Sequence, residues 1–183
     1  MAGLTAALAL ALLGATPATA LVSNGGNVGG SAYISSILHD QSTIDVLNAM
    51  GLDVTSAGNH EFDQGVSDLG GRLTAAFNAP ILSANVTGNA ALGSEGDSKG
   101  VFIKEVKGLK VGFMGVVTDE LLSLVAKSTL EGLSIANALE TANARASGLK
   151  DSNQIAVIQP DHYGFKVGQI SLSYDSATKK VTP

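Results

Sequence analysis

Cysteine is missing from this 183-residue chain. Neither a disulfide framework nor a thiolate metal site is therefore available, and the redox compartment stays open. Charge is scarce as well: 15% of the residues are Asp, Glu, Lys or Arg, the first acidic one is Asp40 and the first basic one is Arg72. Eleven basic against sixteen acidic residues give a net charge of −5, the wrong sign for a protein that grips a phosphate backbone with a basic stripe, so nucleic acid is not an expected partner. No block of Lys and Arg offers a hold on an anionic membrane surface. A long hydrophobic span is lacking too, because the apolar run from Leu4 to Leu13 falls short of the roughly 20 residues that a membrane-crossing helix needs. What is present is a 45% apolar composition, enough at this length for one sizeable core and a single domain over residues 1–183.

Along the chain, helical and strand-like patterns alternate, which predicts an α/β layered domain. Residues 30–38 form a candidate helix entered from a glycine loop, and residues 42–50 a second, with Ile44 and Leu47 on one face and Gly51 as its stop. Residues 52–57 read as a short buried strand that breaks at Gly58. A helix over residues 66–78 and a strand over residues 81–85 follow. Residues 89–100, rich in Gly, Ser and acidic side chains, read as loop. Residues 101–106 and 110–117 then pair as a hairpin across Lys107, Gly108 and Leu109. Residues 136–149 form an amphipathic helix, and residues 168–175 alternate as a half-buried strand should, before a turn and a last short strand.

The most chemically charged stretch is Gly58-Asn59-His60-Glu61-Phe62-Asp63, set on the loop after the first buried strand. Asn59 offers a carbonyl oxygen that a divalent metal could use, and the imidazole of His60 could donate a proton to a leaving alkoxide. Glu61 and Asp63 stand near a helix start, where capping and dipole roles outweigh acid–base work. His39, beside Asp40 at a helix end, is expected to complement that terminus, and His162 to sit in an exposed turn. Asn27 with Gly29 and Gly30 could cradle a phosphate at a helix N-terminus, although no Walker lysine accompanies them.

Taken with Asn27-Val28-Gly29-Gly30-Ser31-Ala32 before it and residues 43–54 between, this stretch resembles the metallophosphoesterase domain of the 5'-nucleotidase family. These are calcineurin-like phosphoesterases that also include 2',3'-cyclic nucleotide phosphodiesterases. Residues 80–86, 108–118 and 163–168 resemble further segments of the same domain, in the family's order. The resemblance implies a layered α/β sandwich, a two-metal site, hydrolysis of nucleotide phosphomonoesters and export to the cell envelope or beyond. It also implies a set of metal ligands: an Asp-x-His pair on the first strand, the Asp of a Gly-Asp step, the Asn of Gly-Asn-His-Glu, a later His and a final Gly-His-x-His.

Set against that pattern, Asn59 is the one metal ligand that matches and His60 holds the catalytic position. Gly26, in Ser23-Asn24-Gly25-Gly26-Asn27, stands where the family has the carboxylate that bridges both metals, and no Asp-x-His precedes it. Residues 155–158 resemble the strand that leads to the later His, but the text passes at once to Gln159-Pro160-Asp161-His162-Tyr163-Gly164. The fold is therefore expected to be incomplete, a truncated metallophosphoesterase-like domain lacking its first strand and the segment with the later His ligands. A two-metal site needs several anionic or imidazole donors, and hard divalent ions keep their water unless carboxylates compensate them. Weak or absent divalent metal binding and impaired hydrolysis follow, with an inactive pseudoenzyme fragment, either a binding scaffold or without selected function, as the alternative. Neither Asp53 nor Asp63 matches a family ligand.

Residues 1–20 carry two readings. Ala18-Thr19-Ala20 has the small residues of a signal-peptide cleavage site, without the usual basic n-region. In the family's register, residues 3–14 would instead be a domain helix, followed by Pro17-Ala18-Thr19-Ala20-Leu21-Val22-Ser23 as the step into the glycine loop. Localisation stays open between these. Without a first strand, the strand around residues 20–23 would lose a neighbour, and self-association through exposed edges is expected.

Overall fold

The computed structural model of the protein describes residues 6–12, 18–88, 100–148, 168–178 and 180–182. A six-stranded sheet organises it, in the order β10-β9-β1-β2-β3-β4. Its strands are β1 (Ala6–Leu12), β2 (Ala18–Ser23), β3 (Val54–Ser56), β4 (Ile81–Leu82), β9 (Gly168–Asp175) and β10 (Lys180–Thr182). Strands β2, β3 and β4 run parallel, with Val22 opposite Val54, Ser23 opposite Thr55, and Thr55 opposite Ile81. Parallel neighbours need crossover connections, and helices supply them. Four residues of α1 (Tyr33–Ser36) and nine of α2 (Gln41–Ala49) lie between β2 and β3. A composite helix over residues 66–76 lies between β3 and β4: α3 (Val66–Asp68), a π-helical segment (Leu69–Leu73) and α4 (Thr74–Ala76).

The core lies under these crossovers. Ile44 and Leu47 from α2 meet Leu69 and Leu73 of the π segment, Phe77, Phe62, Val28 and Ile81 in one buried cluster. The π turn falls on Gly70 and Gly71, where the Thr74 hydroxyl donates to the Leu69 carbonyl at 2.7 Å. Two glycines remove the side-chain packing that would hold a tighter helix, and a hydroxyl competing for a backbone carbonyl favours the wider turn.

Outside the main sheet, β6 (Val101–Val106) and β7 (Leu109–Met114) form the expected hairpin, closed by Lys107 and Gly108 at φ of 51° and 81°. Both central residues in the left-handed region mark the tight turn whose twist suits a hairpin. Asp53, just before β3, ties this hairpin to the sheet: its carboxylate pairs with Lys104 and accepts the Leu21 N–H at 2.9 Å. Strands β5 (Val86–Thr87) and β8 (Ser134–Ile135) pair separately, around Asn85. That buried amide donates to the carbonyls of Val117 and Ala136 and accepts the Val117 N–H. Helix α5 (Leu121–Leu124) precedes β8, and α6 (Ala138–Gly148) follows it. Asn137 accepts the Glu140 N–H at the start of α6, as a helix-capping side chain does.

Three expectations are corrected. The apolar amino-terminal run is a strand over Ala6–Leu12 rather than a helix; Leu8, Leu10 and Leu12 alternate with alanines, a two-residue period that suits an extended chain. That strand pairs antiparallel with β2, while β3 takes the other side, so β2 has neighbours on both edges. The helix expected over residues 30–38 is confined to Tyr33–Ser36, because left-handed Gly30 precedes it and left-handed His39 and Asp40 (φ 51° and 59°) follow. His162, residues 155–158 and residues 89–99 lie outside the described residues. Among the described residues no helix is long and apolar enough to cross a membrane.

Candidate functional site

At the carboxyl ends of β2 and β3 two loops face each other, residues 24–31 after β2 and residues 57–63 after β3. In parallel sheets this is where ligands usually bind, since the strands end together and the loops diverge above them. Their contact is close: a Cβ on Gly58 would come within 2.6 Å of the Gly26 nitrogen. Side chains do the holding. The Asn27 amide, buried, donates to the Thr55 hydroxyl at 2.8 Å and accepts from Ser23 Oγ at 2.6 Å.

Glu61 clamps the two loops from within. It is 1% exposed. Its Oε2 accepts the N–H groups of Gly26 (2.8 Å) and Gly58 (2.7 Å), and its Oε1 accepts that of Asn27 (2.7 Å). Burial pushes this carboxyl above its ordinary range, against the opposing pull of the backbone donors. Glu61 is thus a tie across the loops rather than a surface cap on a helix start. The short 3₁₀ turn His60–Phe62, with Phe62 wholly buried, is what turns the Glu61 side chain inward.

A second carboxylate secures the far side of the glycine loop. Asp40, also buried, accepts the Gly29 N–H at 2.9 Å and the hydroxyls of Ser31 (2.5 Å) and Ser35 (2.6 Å). Burial acts to raise its pKa, but those hydrogen bonds outweigh it and hold the carboxyl below its ordinary value. The phosphate cradle expected at Asn27, Gly29 and Gly30 is therefore not vacant. The N–H groups of Gly26 and Asn27 go to Glu61, and that of Gly29 goes to Asp40. This role of Asp40 has no motif in the sequence beyond two hydroxyls, Ser31 and Ser35, shortly ahead of an acid.

His60 lies against this loop with its imidazole partly exposed. Its Nδ1 lies 2.9 Å from Asp63 Oδ2. An ionised carboxylate only accepts, so this pairing puts the proton on Nδ1 and leaves Nε2 as the acceptor in the neutral ring. The adjoining cleft is lined by His60, Asp63, Gly30, Ser36, His39 and Arg72 among others. Arg72 is engaged there, bidentate to Asp68 at 2.6 and 2.7 Å and donating to the His39 carbonyl at 2.9 Å. The His39 side chain is exposed, and it is this carbonyl that makes the turn's contact.

Among the described residues the metal donors do not converge. Asn59 begins the 3₁₀ turn without a side-chain capping bond, and it is a neutral amide. Gly26, in the bridging position of the resemblance, has φ +64° and nothing within 4 Å of where a Cβ would stand. The nearby carboxylates are spent, Glu61 on backbone donors and Asp63 on His60. Among the described residues no three His, Cys, Asp or Glu side chains are grouped to hold a metal ion. A pair of divalent ions does not fit this donor set.

No family model matches the chain. Individual proteins do. It is 30% identical over 166 residues to cell wall protein Lmo0130 of Listeria monocytogenes, an alignment that covers 81% of this chain and 21% of the relative. It is 32% identical over 128 residues to the 5'-nucleotidase of Bos taurus, covering 68% of this chain and 22% of that enzyme. Among solved structures, the putative 5'-nucleotidase of Staphylococcus aureus superposes with a TM-score of 0.59 at 26% identity, over 70% of this chain and 25% of the other. The chain thus spans about a fifth of the length of these relatives. With the loop pair at the ends of parallel strands and this sequence likeness in agreement, the chain belongs to the 5'-nucleotidase family.

Proposed function

We propose that this chain is a 5'-nucleotidase-type phosphoester hydrolase domain whose own residues do not complete a two-metal centre, so that hydrolysis of nucleotide phosphomonoesters is impaired in it. The observation that carries this is Gly26: where the resemblance calls for a bridging carboxylate there is a glycine with open space beside it. Asn59 is the remaining metal-ligand position and His60, held by Asp63, the remaining acid position. When bound, divalent ions would polarise the phosphoryl group and supply hydroxide. The described residues supply one neutral donor toward that. An inactive scaffold is the second reading, favoured by the clamps of Glu61 and Asp40, which hold the loop pair together through the N–H groups of Gly26, Asn27 and Gly29 and so leave those donors closed to a phosphate. Likeness to a cell wall protein supports an exported location.

Phosphate release from nucleoside monophosphates, with manganese or zinc at millimolar concentration, tests this in the wild type and in Gly26→Asp. A Cβ at residue 26 would meet nothing within 4 Å, and Asp tolerates the left-handed region better than most residues. Neither protein is expected to turn over, because one added ligand leaves the histidine donors missing. Metal-dependent turnover by the wild type would overturn the proposal, and turnover by Gly26→Asp alone would show that the donor inventory is incomplete.

A further inference from the structure

The two glycines that follow Val28 touch the His60–Asp63 pair more closely than any side chain would allow. A Cβ built on Gly30 would stand 2.6 Å from His60 Cε1 and 2.8 Å from both ring nitrogens. Real Cβ atoms do not approach that near, so Gly30 lies against the Cε1 corner of the imidazole, between its nitrogens. A Cβ on Gly29 would collide with the His60 carbonyl and come within 2.8 Å of Asp63 Oδ2. Backbone, ring and carboxylate of the pair are therefore all met by one dipeptide. That dipeptide is fixed in turn, since the Gly29 N–H is held by Asp40, which also gathers the Ser31 and Ser35 hydroxyls.

We propose that Gly29 and Gly30 are positioning residues for His60: anchored by Asp40, they form a seat that selects the imidazole orientation in which Nδ1 meets Asp63. The idea rests on the reading of His60 as the acid position, but its geometry is testable without metal or turnover. The steric argument is also separable from backbone preference. Gly26 and Gly30 both have positive φ, +64° and +50°, yet a Cβ at Gly26 meets nothing while one at Gly30 meets the ring. Gly26→Ala thus carries the left-handed penalty alone, and Gly30→Ala carries the same penalty plus the clash.

The test is nitrogen NMR of the histidine side chains in uniformly labelled protein on the alkaline side, where a histidine ring is neutral and its tautomer can be read, with His60 assigned by the signal lost in His60→Ala. Wild type and Gly26→Ala should show His60 as the Nδ1-protonated tautomer, and Gly30→Ala should lose that signature. A thermal double-mutant cycle guards against a variant that fails to fold. Gly30→Ala should lower the midpoint by more than Gly26→Ala does, and the excess should disappear when both are placed in the His60→Ala background. An unchanged His60 spectrum in Gly30→Ala, an equal loss in Gly26→Ala, or a Gly30→Ala penalty that persists without the ring would each overturn the seat. Metal binding or turnover, whichever way it came out, would leave this result unaffected.

Discussion

Glu61 and Asp40 share a chemical type and differ in surroundings, and the difference has measurable consequences. Glu61→Ala would leave the N–H groups of Gly26, Asn27 and Gly58 without their acceptor, at a cost of about 3 kcal/mol in urea unfolding. The exposed Asp45, paired only with Gln41 one helical turn away, should cost under about 0.5 kcal/mol on the same change; equal losses at the two sites would refute the clamp. The pH dependence separates the two buried acids by sign. Asp40 is depressed below the ordinary value of 3.8, so its stabilisation is complete above that value and is lost as pH falls through the folded-state value. Glu61 is raised above 4.5, so its contribution is largest below that value and is lost as pH rises through the folded-state value. The stability gap between wild type and Asp40→Asn should accordingly shrink on acidification below about pH 4. A gap that stays constant would mean that the Ser31, Ser35 and Gly29 bonds do not favour the ionised form. That Asn59 and His60 share a loop end was legible from their neighbours in the chain; that Glu61 points inward was not. Two of its three partners lie 34 and 35 residues away, and no local pattern reports a contact of that range.

Elements with strong local signals followed the sequence closely. Helix α2, the β6–β7 hairpin, α6 and β9 all occur where hydrophobic period, turn residues or capping predicted them. Where glycine or left-handed residues interrupt, as at α1, or where a two-residue Leu/Ala period competes with helix propensity, as at β1, tertiary pairing decided the outcome. The composite helix over residues 66–76 carries its own test. Gly71 is exposed, and a Cβ there meets nothing within 4 Å. Gly71→Ala should therefore stabilise the protein by about 0.5–1 kcal/mol through helix propensity. A loss of stability on thermal unfolding would mean that the π turn depends on glycine at that position.

For the molecule as a whole, the order β10-β9-β1-β2-β3-β4 could not be inferred from sequence, because β1 and β9 pair across more than 150 residues of chain. The pairing weakens the case for association through an open β2 edge. A different surface still favours it: Tyr33 and Ile34 are each 78% exposed, with Ile37 and Leu38 beside them. Light scattering during gel filtration at micromolar concentration should show association that Ile34→Ser with Ile37→Ser reduces. A clean monomer in the unsubstituted chain would remove the expectation. The central claim, a 5'-nucleotidase-family domain without a two-metal centre of its own, is met most directly by calorimetric titration of the chain with manganese and with zinc. The account predicts no binding tighter than a dissociation constant of about 1 μM, equivalent to roughly −8 kcal/mol. Two equivalents of either ion bound more tightly than that would contradict it.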